Sequence, residues 1–168
     1  MDEYAGFTEF VAARSAALSR LAYLLTGDHA AAEDLLQDAL IKAATRWRRI
    51  EAPEAFIRRT MYHLAVSGWR RRRRLREQPV AGPPDEPGGR PDTSEDTVRR
   101  IVLERALARL TPRQRAVLVL RFYEDRSAVE AAELLGCSVG TVKSQTSHAL
   151  QRLRRLAPEL ADLAWEMA

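Results

Sequence analysis

Several residue types and patterns are scarce in this sequence of 168 residues, and each absence excludes a class of protein. Cys137 is the only cysteine, so an internal disulfide and a cysteine-rich zinc site are both excluded. The three histidines, His29, His63 and His148, lie in different segments without HExxH spacing. No carboxylate cluster outside residues 77–97 indicates a metal site, so a metal-dependent nuclease or recombinase is disfavoured. We expect no catalytic residue, no metal and no cofactor.

Long apolar runs are also lacking. No run is long enough to span a bilayer, and the first residues, MDEYAGFTEF, lack the basic start and apolar core of a signal peptide. We therefore expect a cytoplasmic protein with no membrane contact. No strand pattern and no internal repeat is present, so the chain is predicted to be all-α.

Basic and acidic residues are segregated along the chain. Residues 1–45 carry seven acidic and three basic side chains, whereas residues 46–76 carry two acidic and eleven basic ones. Residues 77–97 are acidic again, and residues 98–155 hold twelve basic against five acidic side chains. Arginines make up 25 of the 27 basic residues, which favours phosphate and guanine contacts. Two basic blocks separated by an acidic strip indicate two contacts with a polyanion.

Apolar periodicity predicts two helices in the first third of the chain. The first begins near Phe7 and ends at Gly27, and Asp28 caps the second, AAAEDLLQDALIKAATRW. Leu35, Ala39, Ala43 and Trp47 can face inward, which leaves an acidic face carrying an apolar residue: Glu33, Asp34, Gln37, Asp38 and Ile41. That face is either a solvated surface or a docking site for a basic protein.

A third helix, opened by Pro53 and Glu54, mixes arginines with aromatic residues. Ile57, Met61 and Leu64 mark its buried side. The outward positions are predicted to be Arg58, Arg59, Tyr62, His63, Trp69 and the arginines 70–74. Arginines that follow phosphates and rings that stack on bases suit single-stranded nucleic acid. The alternative is that Tyr62 and Trp69 belong to the core and that the arginine run is a solvated helix end.

Residues 77–97, EQPVAGPPDEPGGRPDTSEDT, are rich in proline and glycine and nearly free of apolar residues. They predict a flexible linker between two helical domains. After it, VRRIVLERALARL is predicted to be helical, and Thr111-Pro112-Arg113-Gln114 forms a capping box that begins an apolar helix.

The segment from Ser127 to Arg155 contains two helical patterns joined by a tight turn, Gly136-Cys137-Ser138. Gly136 stands where a helix C-terminus favours a left-handed residue, and Ser138 where the next helix needs an N-cap. Two helices joined in this way form a helix-turn-helix, whose second helix reads the major groove. A buried helical hairpin is the alternative, but the second helix carries donors and almost no carboxylates.

These segments together resemble the sigma-70 type RNA polymerase sigma factors, within them the small extracytoplasmic-function (ECF) group, and most nearly its sigma-E-like actinobacterial type. AEDLLQDALIKA is similar to the family's core-polymerase-binding helix, and AFIRRTMYHLAVSGWRRRRR to its promoter-melting segment. The residues from LTPRQRAVLVL to the end of the helix-turn-helix are similar to the domain that reads the minus-35 element, and GCSVGTVKS is the most specific match.

The resemblance implies roles for individual residues. The core-polymerase contacts would be Asp34, Leu36, Gln37, Asp38 and Ile41. The melted minus-10 strand would meet Arg58, Arg59, Tyr62, His63, Ser67, Trp69 and Arg70, with the loop 50–55 helping to hold a flipped base. The minus-35 duplex would meet Arg113, Arg115, Arg121, Arg126, Thr141, Lys143, Ser144, Ser147, His148 and Arg152. His63, Gln145 and His148 depart from the family's usual Asn, Arg and Arg, so the bases they recognise are not predicted.

The expected organisation is two small helical domains on a tether: residues 1–76 for polymerase and minus-10 binding, a linker at 77–97, and 98–158 for minus-35 binding. An acidic tail, 159–168, is expected to pack back through Leu160, Leu163 and Trp165. The implied partners are core RNA polymerase, through its beta-prime clamp helices and beta flap, promoter DNA as duplex and melted non-template strand, and an anti-sigma factor. The rival hypothesis is a stand-alone helix-turn-helix regulator that binds a palindromic duplex without polymerase.

Overall fold

The structure is a computed structural model that describes residues 6–75 and 95–160, with side chains from 69 to 75 outside that description. The described residues form seven α-helices and no strand, which confirms the all-α prediction. The helices are α1 (Phe7–Thr26), α2 (His29–Ala44), α3 (Pro53–Leu75), α4 (Glu95–Ala108), α5 (Pro112–Leu118), α6 (Ala128–Leu135) and α7 (Val139–Leu156). We call α1 to α3 the N-terminal half and α4 to α7 the C-terminal half.

The helices begin and end where their capping residues predict. Gly27 ends α1 in the left-handed conformation, at φ 71°, and the Asp28 side chain accepts a hydrogen bond from the backbone of Ala31. Thr111 and Gln114 form the expected capping box at the start of α5. Gly136, at φ 64°, and Ser138, which accepts from the Thr141 backbone, make the sharp turn between α6 and α7. The helix-turn-helix geometry is therefore confirmed.

Three boundaries differ from the predictions. The second helix, predicted to run to Trp47, ends at Ala44, and Trp47–Arg49 forms a separate short 3-10 turn. Residues 95–97, assigned to the linker, belong to α4, because Glu95 and Asp96 suit the positive end of a helix dipole. The apolar helix after Thr111 is also not uniform, since α5 ends at Leu118 and continues as a π-helical turn, Val119–Tyr123. The other predicted linker residues, 77–94, lie outside the described part of the chain.

The larger hydrophobic core is shared between the two halves. Leu18, Leu21 and Ile57 from the N-terminal half belong to the same buried cluster as Leu120 and Val142 from the C-terminal half. Helices α1 and α3 pack against α5, and α3 also packs against α6. In this structure the two halves therefore also bury apolar surface against each other.

A smaller core lies within the C-terminal half. It joins Leu107 and Leu110 near the end of α4 to Ala149 and Leu153 on α7, and Leu160 is buried there too. Leu160 thus packs as predicted for the tail, while Leu163 and Trp165 lie outside the described residues. Among residues 6–75 and 95–160, no helix is long and apolar enough to cross a membrane, and no group of three potential metal ligands is found.

Candidate nucleic-acid and partner interfaces

The acidic face of α2 is exposed as predicted. Asp34, Gln37, Asp38 and Ile41 follow the i, i+3, i+4, i+7 spacing of one helix face, and all four are exposed. Ile41 keeps 62% of its surface open to solvent, although Leu35 and Ala39 on the opposite face are buried. Leu36 is half-buried against the larger core, so only its edge can meet a partner. An exposed Ile framed by carboxylates is typical of a surface that docks a basic partner.

The predicted minus-10 residues on α3 have very different surroundings. Arg59 is exposed, and Ser67 is exposed with its hydroxyl donating to the His63 carbonyl at 2.6 Å. Arg58 is half-buried and makes ion pairs with Glu54 on its own helix and with Glu124, which follows the π-helical turn. Burial lowers the pKa of Arg58, but the carboxylates of Glu124 and Glu54 outweigh it and raise that pKa above its ordinary value. The side chains of Trp69 and Arg70 lie outside the described residues.

Tyr62 is buried, which corrects the prediction of an outward side chain. Its relative exposure is 0%, because the side chain packs, like that of Met61, in the larger core where α3 meets the C-terminal half. Burial, and then the nearby charge of Glu124, raise the pKa of Tyr62 well above its ordinary value. Among the described residues, the Tyr62 hydroxyl is buried without a hydrogen bond of standard geometry. Tyr62 is therefore not a nucleic-acid contact in this conformation.

A cleft of about 380 Å³ opens between the end of α2 and the middle of α3. Its lining combines cations, hydroxyls and two rings: Lys42, Thr45, Arg46, Phe56, Arg59, Thr60 and His63. No residue of the loop 50–55 lines it. Rings for stacking beside cations for phosphates are what a single-stranded nucleotide needs.

The polar face of α7 is open. Lys143, Ser144, Ser147 and His148 are all exposed and lie side by side, whereas Val142 and Ala149 on the opposite face are buried. Thr141 and Arg152 are half-buried at the edges of that face, and the Thr141 hydroxyl is hydrogen-bonded to Ser138 at 2.9 Å. The helix presents its donors outward along two turns, as a recognition helix in the major groove does.

Three of the other predicted phosphate contacts remain near the surface. Arg113 is half-buried, and Arg121 is half-buried with its guanidinium donating to the Arg126 carbonyl. Arg126 is exposed and pairs with Glu130, its i+4 neighbour, at 3.3 Å. All three can reach a phosphate by exchanging a weak surface contact for a charged one.

Arg115 is buried, which corrects its placement among the surface arginines. Its guanidinium donates to the carbonyls of Leu107, Ala108 and Leu110 at the end of α4, and to the carbonyl of Leu25 at the end of α1, at 2.9–3.1 Å. These carbonyls stand at or just beyond helix C-termini, which carry partial negative charge. Burial lowers the pKa of Arg115 to about 10. Arg115 therefore joins the two halves and is not available to a phosphate in this conformation.

Sequence reasoning missed Glu124 and most of the cleft lining: Lys42, Thr45, Arg46, Phe56 and Thr60. Glu124 stands in the segment FYEDR beside three exposed polar residues, so nothing local signals that its side chain is only 8% exposed. Lys42 and Arg46 could have been found, because Lys42 lies one turn after Asp38 on α2 and Arg46 begins the basic block that follows this helix.

Comparison with known protein families matches the two parts of the chain that carry these surfaces. The family model for Sigma-70 region 2 matches residues 10–75, and the model for Sigma-70, region 4, matches residues 106–155. The first match contains all of α2 and α3, and the second contains the helix-turn-helix except for the last residue of α7.

Similar proteins carry the same family name. The chain is 41% identical over 157 residues to the RNA polymerase sigma-E factor of Streptomyces coelicolor, covering 92% of this chain and 87% of that protein. It is 32% identical over 157 residues to the ECF RNA polymerase sigma factor SigL of Mycobacterium tuberculosis, covering 87% and 85%. Among solved structures, the sigma factor RpoE in complex with the anti-sigma factor NepR from Bartonella quintana aligns with a TM-score of 0.63 and 28% identity, covering 90% of this chain and 96% of that one.

Proposed function

The chain belongs to the sigma-70 family of RNA polymerase sigma factors, in its extracytoplasmic-function group, and on that premise we propose how its surfaces divide the work of initiation. The α2 face binds core polymerase, the cleft beside α3 captures the melted minus-10 strand, and the open face of α7 reads the minus-35 duplex. The protein contributes binding energy and positioning, and it needs no cofactor or metal.

One observation carries the proposal for α2: four exposed side chains form a single face on which carboxylates surround an apolar residue. A stand-alone regulator has no use for such a face, because DNA repels it. A basic, partly apolar helix on the polymerase, such as the beta-prime clamp helices, complements it in both charge and hydrophobicity. Asp34, Gln37, Asp38 and Ile41 are the proposed contacts, with the half-buried Leu36 at their edge.

The cleft supports the minus-10 role. Its size lies within the range of small-molecule sites, and the rings of Phe56 and His63 stand beside three cations, Lys42, Arg46 and Arg59. A base extruded from the stack needs a ring to stack on, and its flanking phosphates need positive charge. We therefore place the captured nucleotide in this cleft, and we add Lys42, Arg46, Phe56 and Thr60 to the predicted set.

The open face of α7 supports the minus-35 role. Lys143, Ser147 and His148 present donors to base edges or phosphates, and Arg113, Arg121 and Arg126 lie near enough to the surface to hold the backbone. Each contact is weak alone. Polymerase bound at α2 fixes both halves on one promoter and makes the second contact effectively intramolecular.

Two further partnerships follow from the comparisons. The similar RpoE was solved with an anti-sigma factor, and we propose that this chain also has such a protein as its regulator. The beta flap is the proposed contact of the C-terminal half on polymerase. Both proposed partners are consistent with action in the cytoplasm, where the chromosome and polymerase are found.

Run-off transcription with purified core polymerase on a library of random promoters tests the proposal. We expect specific starts with the wild-type protein, and none with an Asp34→Arg, Asp38→Arg variant that remains folded by circular dichroism. The matched control is Glu9→Arg, Glu133→Arg, which makes the same change of charge at exposed positions away from α2.

Wild-type activity with loss in the α2 variant alone supports the sigma role. Equal loss of transcription in both variants would mean that the loss comes from the change in net charge and not from the α2 face. Specific binding of a palindromic duplex by the protein alone, without any start, would instead favour the stand-alone regulator.

A further inference from the structure

The polar side chains that line the cleft between α2 and α3 are of two kinds. Lys42, Arg46 and Arg59 are exposed cations, which donate hydrogen bonds and accept none. Among the described residues of the lining, none carries a carboxylate or a side-chain amide. Phosphates flank a captured nucleotide on both sides and carry full charges, so they attract the cations. The base is therefore left to the neutral polar side chains: Thr45, Thr60 and His63.

Both threonine hydroxyls already use their only proton. Thr45 Oγ1 donates to the Lys42 carbonyl oxygen at 3.0 Å, and Thr60 Oγ1 donates to the Phe56 carbonyl oxygen at 2.8 Å. A hydroxyl has one proton and two lone pairs, so each oxygen offers the cleft an acceptor and no donor. Lys42 lies in the last turn of α2, where carbonyls lack backbone partners, so the Thr45 bond stabilises the helix end. Both bonds are local and do not depend on how the two halves pack.

The third neutral polar side chain, His63, also has an acceptor in this structure. Its Nε2 atom lies 2.6 Å from the carbonyl oxygen of Leu134, which only accepts, so Nε2 carries the proton of this bond. In the neutral ring the other nitrogen, Nδ1, then has a lone pair. The neutral polar side chains of the lining therefore supply acceptors, whereas its donors belong to the cations.

The four DNA bases differ in what they present to such acceptors. Cytosine and adenine carry an amino group, which donates, at the position where thymine and guanine carry a carbonyl oxygen, which only accepts. A carbonyl facing the lone pairs of Thr45 and Thr60 would lose its hydrogen bond to water without a replacement. The Phe56 ring does not distinguish the two classes, because every base has a face on which to stack.

We propose that the cleft selects a base that carries this amino group, cytosine or adenine, and that Thr45 and Thr60 set the specificity by accepting hydrogen bonds from it. The inference rests on the proposed capture of the melted minus-10 strand beside α3, and it adds the class of base that is captured. The cations hold the strand whatever its sequence, and the two threonines distinguish the base.

The test measures the affinity of the full-length protein for single strands of about ten nucleotides that are abasic except at one central position. The abasic positions keep their phosphates, so the cations meet the same charge in every strand. The central base is cytosine or uracil in one pair of strands, and adenine or hypoxanthine in the other. Each pair exchanges the amino group for a carbonyl at nearly constant size. Fluorescence anisotropy at low salt gives the affinities, and a wholly abasic strand gives the contribution of the phosphates.

In at least one pair we expect the wild-type protein to bind the amino-bearing strand about tenfold more tightly, because two neutral hydrogen bonds are at stake. Thr45→Val and Thr60→Val keep the shape of the side chain without its acceptor, and each should lower that ratio about threefold. Thr60→Ser keeps the hydroxyl and the ratio. The matched control is Thr146→Val, on α7 and outside the cleft lining, where the hydroxyl donates to the Val142 carbonyl at 2.7 Å. Unchanged binding of the wholly abasic strand shows that each variant is folded.

Each contrary outcome overturns the inference. Equal affinities within both pairs, with the abasic strand still bound, would mean that the cleft holds a strand but does not recognise the amino group. A preference that survives both valine variants, or that Thr146→Val lowers equally, would remove the two threonines from base recognition. If no strand binds at all, the proposed capture of a strand in the cleft is itself wrong, and the inference falls with it. The wholly abasic strand thus distinguishes a failure of the inference from a failure of the proposed function.

Discussion

The two helices proposed to meet DNA, α3 and α7, differ in what they touch. On α7 the donors Lys143, Ser147 and His148 are exposed, and the opposite face is packed within its own half. On α3 the equivalent side chains Arg58 and His63 are bonded to the other half. One helix is ready to read a duplex, whereas the other must first lose its internal partners.

The difference shows that, within one factor, the proposed contact of α3 with a melted strand depends on how the two halves are packed, whereas the proposed contact of α7 with the duplex does not. On the proposed roles, duplex reading by α7 needs no rearrangement, whereas capture of a melted strand by α3 competes with an interface that contains a buried arginine, an ion pair and a shared core. If α3 captures the melted strand as proposed, such an interface reduces the premature binding of single strands.

The largest effect is expected from removing the buried arginine that bonds α1 to α4. Arg115→Met keeps the apolar stem but leaves four carbonyls without their donor, so we expect the free energy of unfolding to fall by roughly 3 kcal/mol or more. Urea unfolding followed by circular dichroism measures it. Arg113→Met, two residues earlier on the same helix, should change stability by less than about 0.5 kcal/mol. Equal effects would refute the special role of Arg115.

A smaller difference between variant and control, about 1–3 kcal/mol, is expected where the halves approach through glycine. Gly27→Ala and Gly136→Ala both place a side chain at positive φ, but only the first meets the other half, at Ala108, while nothing lies within 4 Å of the second. We expect both to lose about 1–2 kcal/mol from backbone strain, and Gly27→Ala to lose about 1–3 kcal/mol more from overlap. Thermal unfolding of the two variants gives the difference. A difference of zero would mean that the close approach at Gly27 is dispensable.

The face of α7 is expected to respond in binding and not in stability. Lys143→Ala with His148→Ala should weaken binding to a minus-35 duplex selected by run-off transcription by about 1–3 kcal/mol, and leave unfolding unchanged within about 0.5 kcal/mol. The control is Arg105→Ala with Ser19→Ala, which also removes one cation and one polar group, at exposed positions outside α7. Equal weakening by the control would remove these residues from the proposed contacts.

The smallest effect is expected at the start of α7. Ser138→Ala removes the acceptor for the Thr141 backbone N–H, now 3.1 Å away, and should cost about 1 kcal/mol of stability. Ser19→Ala, at an exposed position within α1, serves as the control and should stay within about 0.5 kcal/mol. Unfolding in urea distinguishes the two, and a full-size effect at Ser19 would argue against the cap.

Local signals in the sequence were sufficient to predict the helices and most of their caps. Asp28, Thr111 and Ser138 act within three residues of themselves, so their roles follow from spacing alone. Periodicity likewise identified the α2 face, because Ile41 and Asp38 recur with the helix.

The contacts between the halves were not predictable in this way. Tyr62 and Arg115 were assigned to the surface because periodicity describes one helix and not the partner that covers it. Glu124 meets Arg58 across 66 positions of sequence, and no local pattern encodes that meeting. The roles of Arg58, His63 and the α7 residues in DNA binding remain predictions.

The most direct test of the account is the distance between the halves before and after polymerase binds. Spin labels at Ser19→Cys on α1 and Gln151→Cys on α7, in a Cys137→Ser background, report it by double electron–electron resonance; both labelled positions are exposed. We predict one narrow, short distribution for the free protein, a longer one with core polymerase, and no lengthening in the Asp34→Arg, Asp38→Arg variant. A broad, long distribution in the free protein, unchanged by polymerase, would contradict the packing of the two halves against each other and the proposed division of work.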